Sequence, residues 1–177
     1  MVDITDKEKR VLTDLVSMEL ISTDKKKVLK GILDRIENKR SIELYVDGAA
    51  DLHSKTAGIG GVLFQNEEEL FTFSKPIFDK TNNEAEYLAL IEGLNVSLEL
   101  NILNIVIYSD SQLIVRQVNG EYRVKNDRMR LLNSDVIDLL CQFNEWSINH
   151  INRDKNKVAD KLSKDGMKLA RVQTLGK

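Results

Sequence analysis

Internal disulfide bonds are excluded, because the 177 residues include a single cysteine, Cys141. A reducing, cytoplasmic setting is therefore expected. Cys141 lies in an apolar helical pattern, which favours a buried thiol over a nucleophile. The only histidines, His53 and His150, are far apart in the sequence, so no Cys/His cluster predicts a zinc site.

Long apolar runs and an excess of positive charge are also missing. No run approaches the roughly 20 apolar residues of a membrane span, and the charged N-terminus is unlike a secretory signal, so no membrane partner is expected. Lys and Arg number 26 against 28 Asp and Glu, a net charge of −2. This balance does not indicate a nucleic-acid binder, although a cation site built from acids would account for part of the acidic excess.

The first 40 residues differ in charge from the rest of the chain. They hold ten Lys/Arg, eight Asp/Glu and no aromatic residue. Apolar residues at helical spacing between residues 6 and 38, interrupted at Ser22–Asp24, predict a small helical hairpin. Its role stays open between packing, self-association or a protein contact and a basic clamp for nucleic acid, which would use Lys25, Lys26, Lys27 and Lys30.

From Ser41 the periodicity becomes that of strands. Apolar and polar residues alternate over residues 41–47, which predicts a strand that ends at Asp47 and Gly48. Further strands at about 57–65 and 70–75 predict an antiparallel meander. The glycines of the second strand favour a closely packed or bulged strand over a phosphate loop, because no Gly-Lys-Ser/Thr follows.

The rest of the chain alternates helices with strands. A capping box at Thr81–Glu84 begins a helix that leaves Glu86 beside its apolar stripe, without the structural task that Glu84 has. A strand that is apolar on both faces then leads to Asp110. The remaining predicted elements are helices at about 113–118 and 127–143, a strand at 146–151, and a terminal helix with Asp160 beside its apolar stripe.

Four carboxylates, Asp47, Glu86, Asp110 and Asp160, thus lie at strand ends or beside apolar helix faces. Each alone is more often an exposed or capping residue. Converging without compensation, they would raise one another's pKa values. A divalent cation removes that penalty, and ligation by oxygen alone favours Mg²⁺ or Mn²⁺ over zinc.

Four short segments carry a resemblance to a known family. Each is weak alone, but their order and spacing are specific. The segments are Tyr-Val-Asp47-Gly-Ala, Thr81-Asn82-Asn83-Glu-Ala-Glu86-Tyr, Tyr-Ser-Asp110-Ser-Gln112 and Asn156-Lys-Val-Ala-Asp160-Lys-Leu. With these segments, the chain from about residue 41 to 170 resembles ribonuclease H type 1.

The resemblance implies an α/β fold with a mixed five-stranded sheet, three antiparallel strands followed by two further strands, flanked by helices. The expected organisation is a helical extension at 1–40, a ribonuclease H-like catalytic domain at 41–170 and a tail at 171–177. The implied activity is hydrolysis of the RNA strand of RNA/DNA hybrids by a two-metal mechanism. The implied cofactors are two Mg²⁺ ions, with Mn²⁺ as a substitute. The implied products carry 5′-phosphate and 3′-hydroxyl ends.

By the same resemblance, Asp47, Glu86, Asp110 and Asp160 match the family's metal-binding acids. RNA is distinguished by its 2′-hydroxyls in the minor groove. The residues that match hybrid-contacting positions are Gly48, Thr81, Asn82, Asn83 and Gln112, of which Thr81 would also contact a DNA phosphate. The alternative for the asparagines is that they are only N-terminal helix residues.

The chain departs from the best-known members of the family in two places. Residues 119–126 simply join two helices where those members carry a basic, tryptophan-bearing protrusion. His150 stands ten residues before Asp160, the separation of a family histidine that assists product release or proton transfer, yet it also fits the end of a strand. A rival function is a non-catalytic nucleic-acid-binding or protein-interaction module with the same fold.

Overall fold

The computed structural model describes residues 6–38 and 42–175, with side chains described at 7–33 and 42–175. Its contacts divide the chain into two compact units, Met1–Ser41 and Ile42–Lys177. Within the described residues, no helix has both the length and the apolar composition needed to cross a membrane.

The N-terminal unit contains two helices, α1 (Asp6–Ser17) and α2 (Thr23–Asn38), which pack against each other. The predicted helical hairpin is confirmed. Apolar side chains at helical spacing build the contact, but several others remain in solvent: Val11, Met18 and Val28 are each more than half exposed.

The second unit contains five strands and four helices among its described residues. The strands are β1 (Ile42–Asp51), β2 (Thr56–Gln65), β3 (Glu68–Phe78), β4 (Asn104–Ser109) and β5 (Glu145–His150). The helices are α3 (Asn82–Glu99), α4 (Gln112–Val118), α5 (Asp127–Leu140) and α6 (Lys157–Leu175), with a 3₁₀ turn at Arg153–Lys155.

The strands form one sheet in the order β3-β2-β1-β4-β5. β2 is antiparallel to both β1 and β3, whereas β4 pairs in parallel with β1, and β5 pairs in parallel with β4. The parallel step from β1 to β4 needs a crossover, which α3 supplies. The predicted mixed sheet is confirmed.

Helices cover both faces of the sheet and so fix where the site can form. Leu44 and Val46 of β1 pack against Gly93 of α3 on one face. On the other face α6 lies so close to β2 that a Cβ on Gly60 would stand 2.3 Å from the Ser163 amide nitrogen. The predicted closely packed glycine strand is confirmed. This close approach of α6 to β2 also brings α6 next to β1.

Three local predictions need correction. β1 continues past Asp47 to Asp51, because the antiparallel partner β2 goes on pairing with it there. Cys141 is exposed, since it caps the end of α5 after the last apolar turn. Residues 171–175, predicted as part of a tail, are helical, because the Thr174 hydroxyl donates to the Ala170 carbonyl and Arg171 pairs with Asp51 at 2.9 Å.

Candidate active site

Asp47 lies on β1, and Asp110 directly follows β4, the strand beside it. Val46 and Ser109 form the last residue pair of the parallel strands β1 and β4, so the next residue along the chain is an aspartate in both cases. The β4 strand ends at that point while β1 continues, which leaves space beside Asp47. Sequence alone therefore predicted the neighbourhood of the two acids correctly, although it ended β1 too early.

Glu86 reaches the same place from α3. The capping box is present as predicted: the Glu84 amide donates to the Thr81 hydroxyl, and the Thr81 amide donates to Glu84 at 2.9 Å. Gly48 lets the helix approach β1, because a Cβ there would stand 2.3 Å from the Glu86 amide nitrogen. The first turn of α3 thus sits against the strand that carries Asp47.

Asp47, Glu86 and Asp110 form a compact cluster. One carboxylate oxygen from each lies within 4.8 Å of those of the other two. Asp47 and Glu86 are buried, and Oε2 of Glu86 has no hydrogen-bond partner among the described residues. A buried, unpartnered carboxylate oxygen is costly unless a proton or a cation neutralises it.

The pKa values of two of these acids reflect that cost. Burial raises the pKa of Glu86 to about 9, and the nearby carboxylates Asp47 and Asp110 add to the effect. Burial also raises the pKa of Asp47 to about 6, although a hydrogen bond from the Ser163 hydroxyl opposes the rise. The cluster therefore favours protons or metal cations over free negative charge.

The cluster opens into a polar pocket of about 240 Å³. The three acids line it together with the β1 residues after Asp47, with Asn82, and with Arg153 from the 3₁₀ turn. The pocket is open to solvent on one side, and its donors and acceptors suit a charged polar ligand rather than an apolar one.

Asp160 lies outside this cluster. Its Oδ1 accepts from the Arg153 guanidinium at 2.6 Å, and its Oδ2 accepts from the Lys164 ammonium at 2.6 Å. Burial by itself raises the pKa of Asp160, but the hydrogen bonds from Lys164 and Arg153 outweigh it and leave that pKa below its usual range. The structure thus brings together three of the four predicted acids, with the fourth ion-paired at the pocket's edge.

Three residues that support the acids were not assigned a role from sequence. The Asn156 side-chain amide donates to the Val46 carbonyl at 2.9 Å and to Asp110 at 3.0 Å. Ser163 donates to Asp47, and Arg153 holds Asp160. Asn156 begins one of the four segments that resemble the family, so the sequence contained a signal for its role. No periodicity or spacing marked Ser163 or Arg153.

Four of the five predicted substrate-contacting residues line one of two pockets. Gly48 and Asn82 line the acid pocket. Thr81 and Asn83 line a second pocket of about 320 Å³, with Arg128 and with Asn126, the N-cap of α5. Gln112 is exposed at the first position of α4, two residues after Asp110. Because Asn82 and Asn83 are consecutive, the two pockets adjoin at the start of α3.

His150 is exposed at the end of β5, where it pairs with Ser109 of β4. It is not among the residues that line the acid pocket, and Arg153 is. A role for His150 in product release or proton transfer stays a prediction.

Comparison with known proteins places this architecture in a class. A family model described as "Reverse transcriptase-like" matches residues 45–166. The ribonuclease HI of Halobacterium salinarum is 30% identical over 127 residues, which cover 71% of this chain and 64% of that protein. The chain therefore spans somewhat less than two thirds of this relative's length.

Comparison with solved structures gives the same result. The crystal structure of the RNase H1 from Halobacterium salinarum has a TM-score of 0.71 at 30% identity, covering 73% of this chain and 99% of that one. LC11-RNase H1, solved in complex with an RNA/DNA hybrid, has a TM-score of 0.68 at 32% identity, covering 73% and 98%. The fold and the acidic pocket define a ribonuclease H-like protein. Within that class, this chain belongs to the ribonuclease H type 1 family.

Proposed function

We propose that this protein is a metal-dependent endoribonuclease that hydrolyses the RNA strand of RNA/DNA hybrids and leaves 5′-phosphate and 3′-hydroxyl ends. The observation that carries the proposal is the converging set of Asp47, Glu86 and Asp110, whose oxygens lie within 4.8 Å of one another. Membership of the family, and a relative solved with an RNA/DNA hybrid, support it.

The donor set fits a hard divalent cation. All three converging ligands are carboxylates, two of them are buried, and Oε2 of Glu86 lacks a partner among the described residues. Oxygen ligation of this kind suits Mg²⁺, with Mn²⁺ as a substitute, better than zinc. We propose two ions, with Asp47, Glu86 and Asp110 holding one and Asp160 joining Asp47 to hold the second.

When bound, such ions activate a water molecule and stabilise the leaving 3′ oxygen. The chain's own residues orient the ligands. The Ser163 hydroxyl fixes Asp47, and the Asn156 amide fixes Asp110 against β1. Hydrogen bonds of this kind set ligand direction and basicity. Arg153, at the pocket wall, is placed to contact a phosphate once it leaves Asp160.

Recognition of the hybrid is proposed to use both pockets. Gly48 and Asn82, which line the acid pocket, and Gln112, two residues after Asp110, would contact the RNA strand, where the 2′-hydroxyl distinguishes RNA from DNA. Thr81, with Asn126 and Arg128 in the second pocket, would hold a phosphate of the DNA strand. Asn83, which lines the second pocket, would contact the hybrid between the two strands.

The rival function is a binding module with the same fold and no turnover. It would gain nothing from burying carboxylates where a nucleic-acid phosphate must approach, which favours the enzyme. The deciding experiment incubates an end-labelled RNA/DNA hybrid with the full chain in Mg²⁺ and in Mn²⁺. Cleavage confined to the RNA strand, with 3′-hydroxyl ends, supports the proposal. An intact hybrid in both ions would overturn it.

The role of the N-terminal unit is proposed as one of two alternatives, a self-association or protein-contact module or an additional nucleic-acid clamp. The exposed apolar side chains of α1 and α2 favour the first alternative. Lys25, Lys26 and Lys27, at the start of α2, favour the second. Solution mass and hybrid affinity of the full chain, compared with residues 42–177, separate them. Unchanged values for both would remove both roles.

A further inference from the structure

The turn between α1 and α2 presents an apolar side chain to solvent. The Ile21 amide donates to the Met18 carbonyl at 3.4 Å, which closes a four-residue turn with Leu20 at its third position. Leu20 is 99% exposed. Turn positions are normally taken by Gly, Pro, Asn, Asp or Ser, so a leucine here is not explained by the turn itself.

An apolar groove of about 360 Å³ begins at the residue after Leu20. Its lining surface is almost wholly apolar, and the residues that form it are Ile21, Asp24, Lys25, Val28 and Leu29. Because so little of the lining is polar, the charged ends of the acid and the base lie at the edge of the groove. The groove and the exposed leucine together are called the hairpin surface below.

The N-terminal unit has little core of its own. Among its described side chains, those of residues 7–33, Leu33 alone is buried. Residues 1–40 contain no cysteine, so no disulfide can hold the two helices together. Units of about 40 residues or fewer usually need a disulfide, a metal or association with another chain to remain folded. The composition of this unit therefore favours association.

The hairpin surface carries each feature together with its complement. A protruding leucine lies next to an apolar groove, and Asp24 lies next to Lys25. Both charged residues are exposed, and neither has an ion-pair partner among the described residues. A two-fold contact between identical copies needs such a surface, because residue i of one copy meets residue j of the other and the reverse. A partner of different sequence would need only one member of each pair.

We infer that the hairpin surface binds a second copy of this chain. Leu20 of each copy enters the groove of the other, and Asp24 of each copy lies beside Lys25 of the other. The contact is small, so the dissociation constant of the dimer is expected in the micromolar range. This inference rests on the self-association role proposed for the N-terminal unit, and it does not depend on nuclease activity.

Sedimentation velocity of the full chain across the micromolar range measures the dimer, as a shift from the mass of one chain to that of two. Leu20→Asp should weaken dimerisation at least about tenfold, because a carboxylate replaces the leucine in the grooves of both copies. Leu175→Asp is the matched control, since Leu175 is an 87% exposed leucine at the end of α6. It should leave the dissociation constant within about twofold.

Charge reversal tests the reciprocal pairing. Asp24→Lys and Lys25→Glu each place like charges across the contact and should weaken their own dimers about fivefold. A mixture of the two variants restores both opposite-charge pairs, so the mixed dimer should exceed its statistical share. Native mass spectrometry with one variant labelled with heavy nitrogen counts the three dimers. Lys27→Glu is the control, because two residues turn a helix by about 200° and place Lys27 away from the groove.

The mass of one chain at every concentration would overturn the dimer, as would equal effects of Leu20→Asp and Leu175→Asp. A mixed dimer at only its statistical share would overturn the pairing of Asp24 with Lys25. If Leu20→Asp lowers the Tm of a chain that is already monomeric, another segment of the same chain covers the groove and the second copy is ruled out. A dimer that cleaves no hybrid in Mg²⁺ removes the proposed activity and leaves this inference standing.

Discussion

The acid pocket has two sides. On the side formed by β1, β4 and α3, here called the strand side, Asp47, Glu86 and Asp110 form a cluster without an ion pair from any described residue. On the α6 side, Asp160 is held by Arg153 and Lys164. The first group has raised pKa values at Asp47 and Glu86, and Asp160 has a lowered one. The same residue type therefore serves two tasks. On the strand side, no basic residue balances the repulsion between the carboxylates, so a bound cation can relieve it. On the α6 side, a cation can bind Asp160 only by displacing its basic partners.

The largest expected effect separates these two sides directly. Asp110→Asn should reduce cleavage of a hybrid in Mg²⁺ about 10³-fold, because it removes a carboxylate from the converging set. Asp160→Asn should cost only about 10- to 100-fold, since Asp160 acts from the edge of the site. Initial rates on one hybrid under identical conditions check both values.

Asp165→Asn is the control for these substitutions, because Asp165 is on α6 and pairs only with Lys168 among the described residues. Equal losses for Asp110→Asn and Asp160→Asn would show that the two sides of the pocket do not differ in function.

The next effect concerns stability without metal. Glu86 has a usual pKa of 4.5 and a folded-state pKa of about 9, so its protonated form is the one that the fold favours. Its contribution to stability is complete below pH 4.5 and is lost as the pH rises through about 9. Asp47 adds a loss between its usual value of 3.8 and about pH 6. In EDTA, Tm should fall by about 5 °C or more between pH 5 and 9.

Mg²⁺ should restore most of that loss at pH 8, and Glu86→Gln should flatten the pH dependence in EDTA. Glu99→Gln, an exposed position at the end of α3, is the matched control and should leave the pH dependence as it is. A Tm that rises with pH in EDTA would contradict the raised pKa values.

A smaller effect tests the α6 side alone. Lys164→Gln and Arg153→Gln should each raise the pKa of Asp160, because each removes a hydrogen bond and a positive charge from its carboxylate. Carbon-detected NMR titration of the aspartate carboxyl groups in metal-free protein measures the change. Lys168→Gln, one turn further along α6, should leave the Asp160 titration in place. An unchanged pKa in both variants would mean that the two ion pairs do not form in solution.

The smallest effect is expected at His150. Because this side chain is exposed at a strand end and does not line the acid pocket, His150→Ala should change kcat by no more than about twofold. A tenfold fall in kcat with an unchanged Tm would instead support a part for His150 in product release or proton transfer. Measuring the rate from pH 6 to pH 9 adds a second readout, since a histidine role would also change the profile.

Much of the fold could be predicted because its signals are local. The alternation in β1, the apolar run of β4 and the capping box at Thr81 each occupy a few consecutive residues, and the structure contains all three elements. The errors were at boundaries. β1 and α6 both extend further than their local pattern predicts, because β2 and the Arg171–Asp51 pair continue to stabilise them.

The sequence by itself determined the order of the elements, the glycines that permit close packing, and the carboxylates at the right positions along the chain. Tertiary structure decided which carboxylates meet and how each is neutralised. Ser163 is 116 residues from Asp47, and Asn156 is 46 from Asp110, yet each pair is hydrogen-bonded because α6 packs against the sheet at Gly60. Local periodicity shows which face of a helix or strand a residue occupies. Only the packing of the elements against one another fixes which carboxylates share a pocket and which basic side chains reach them.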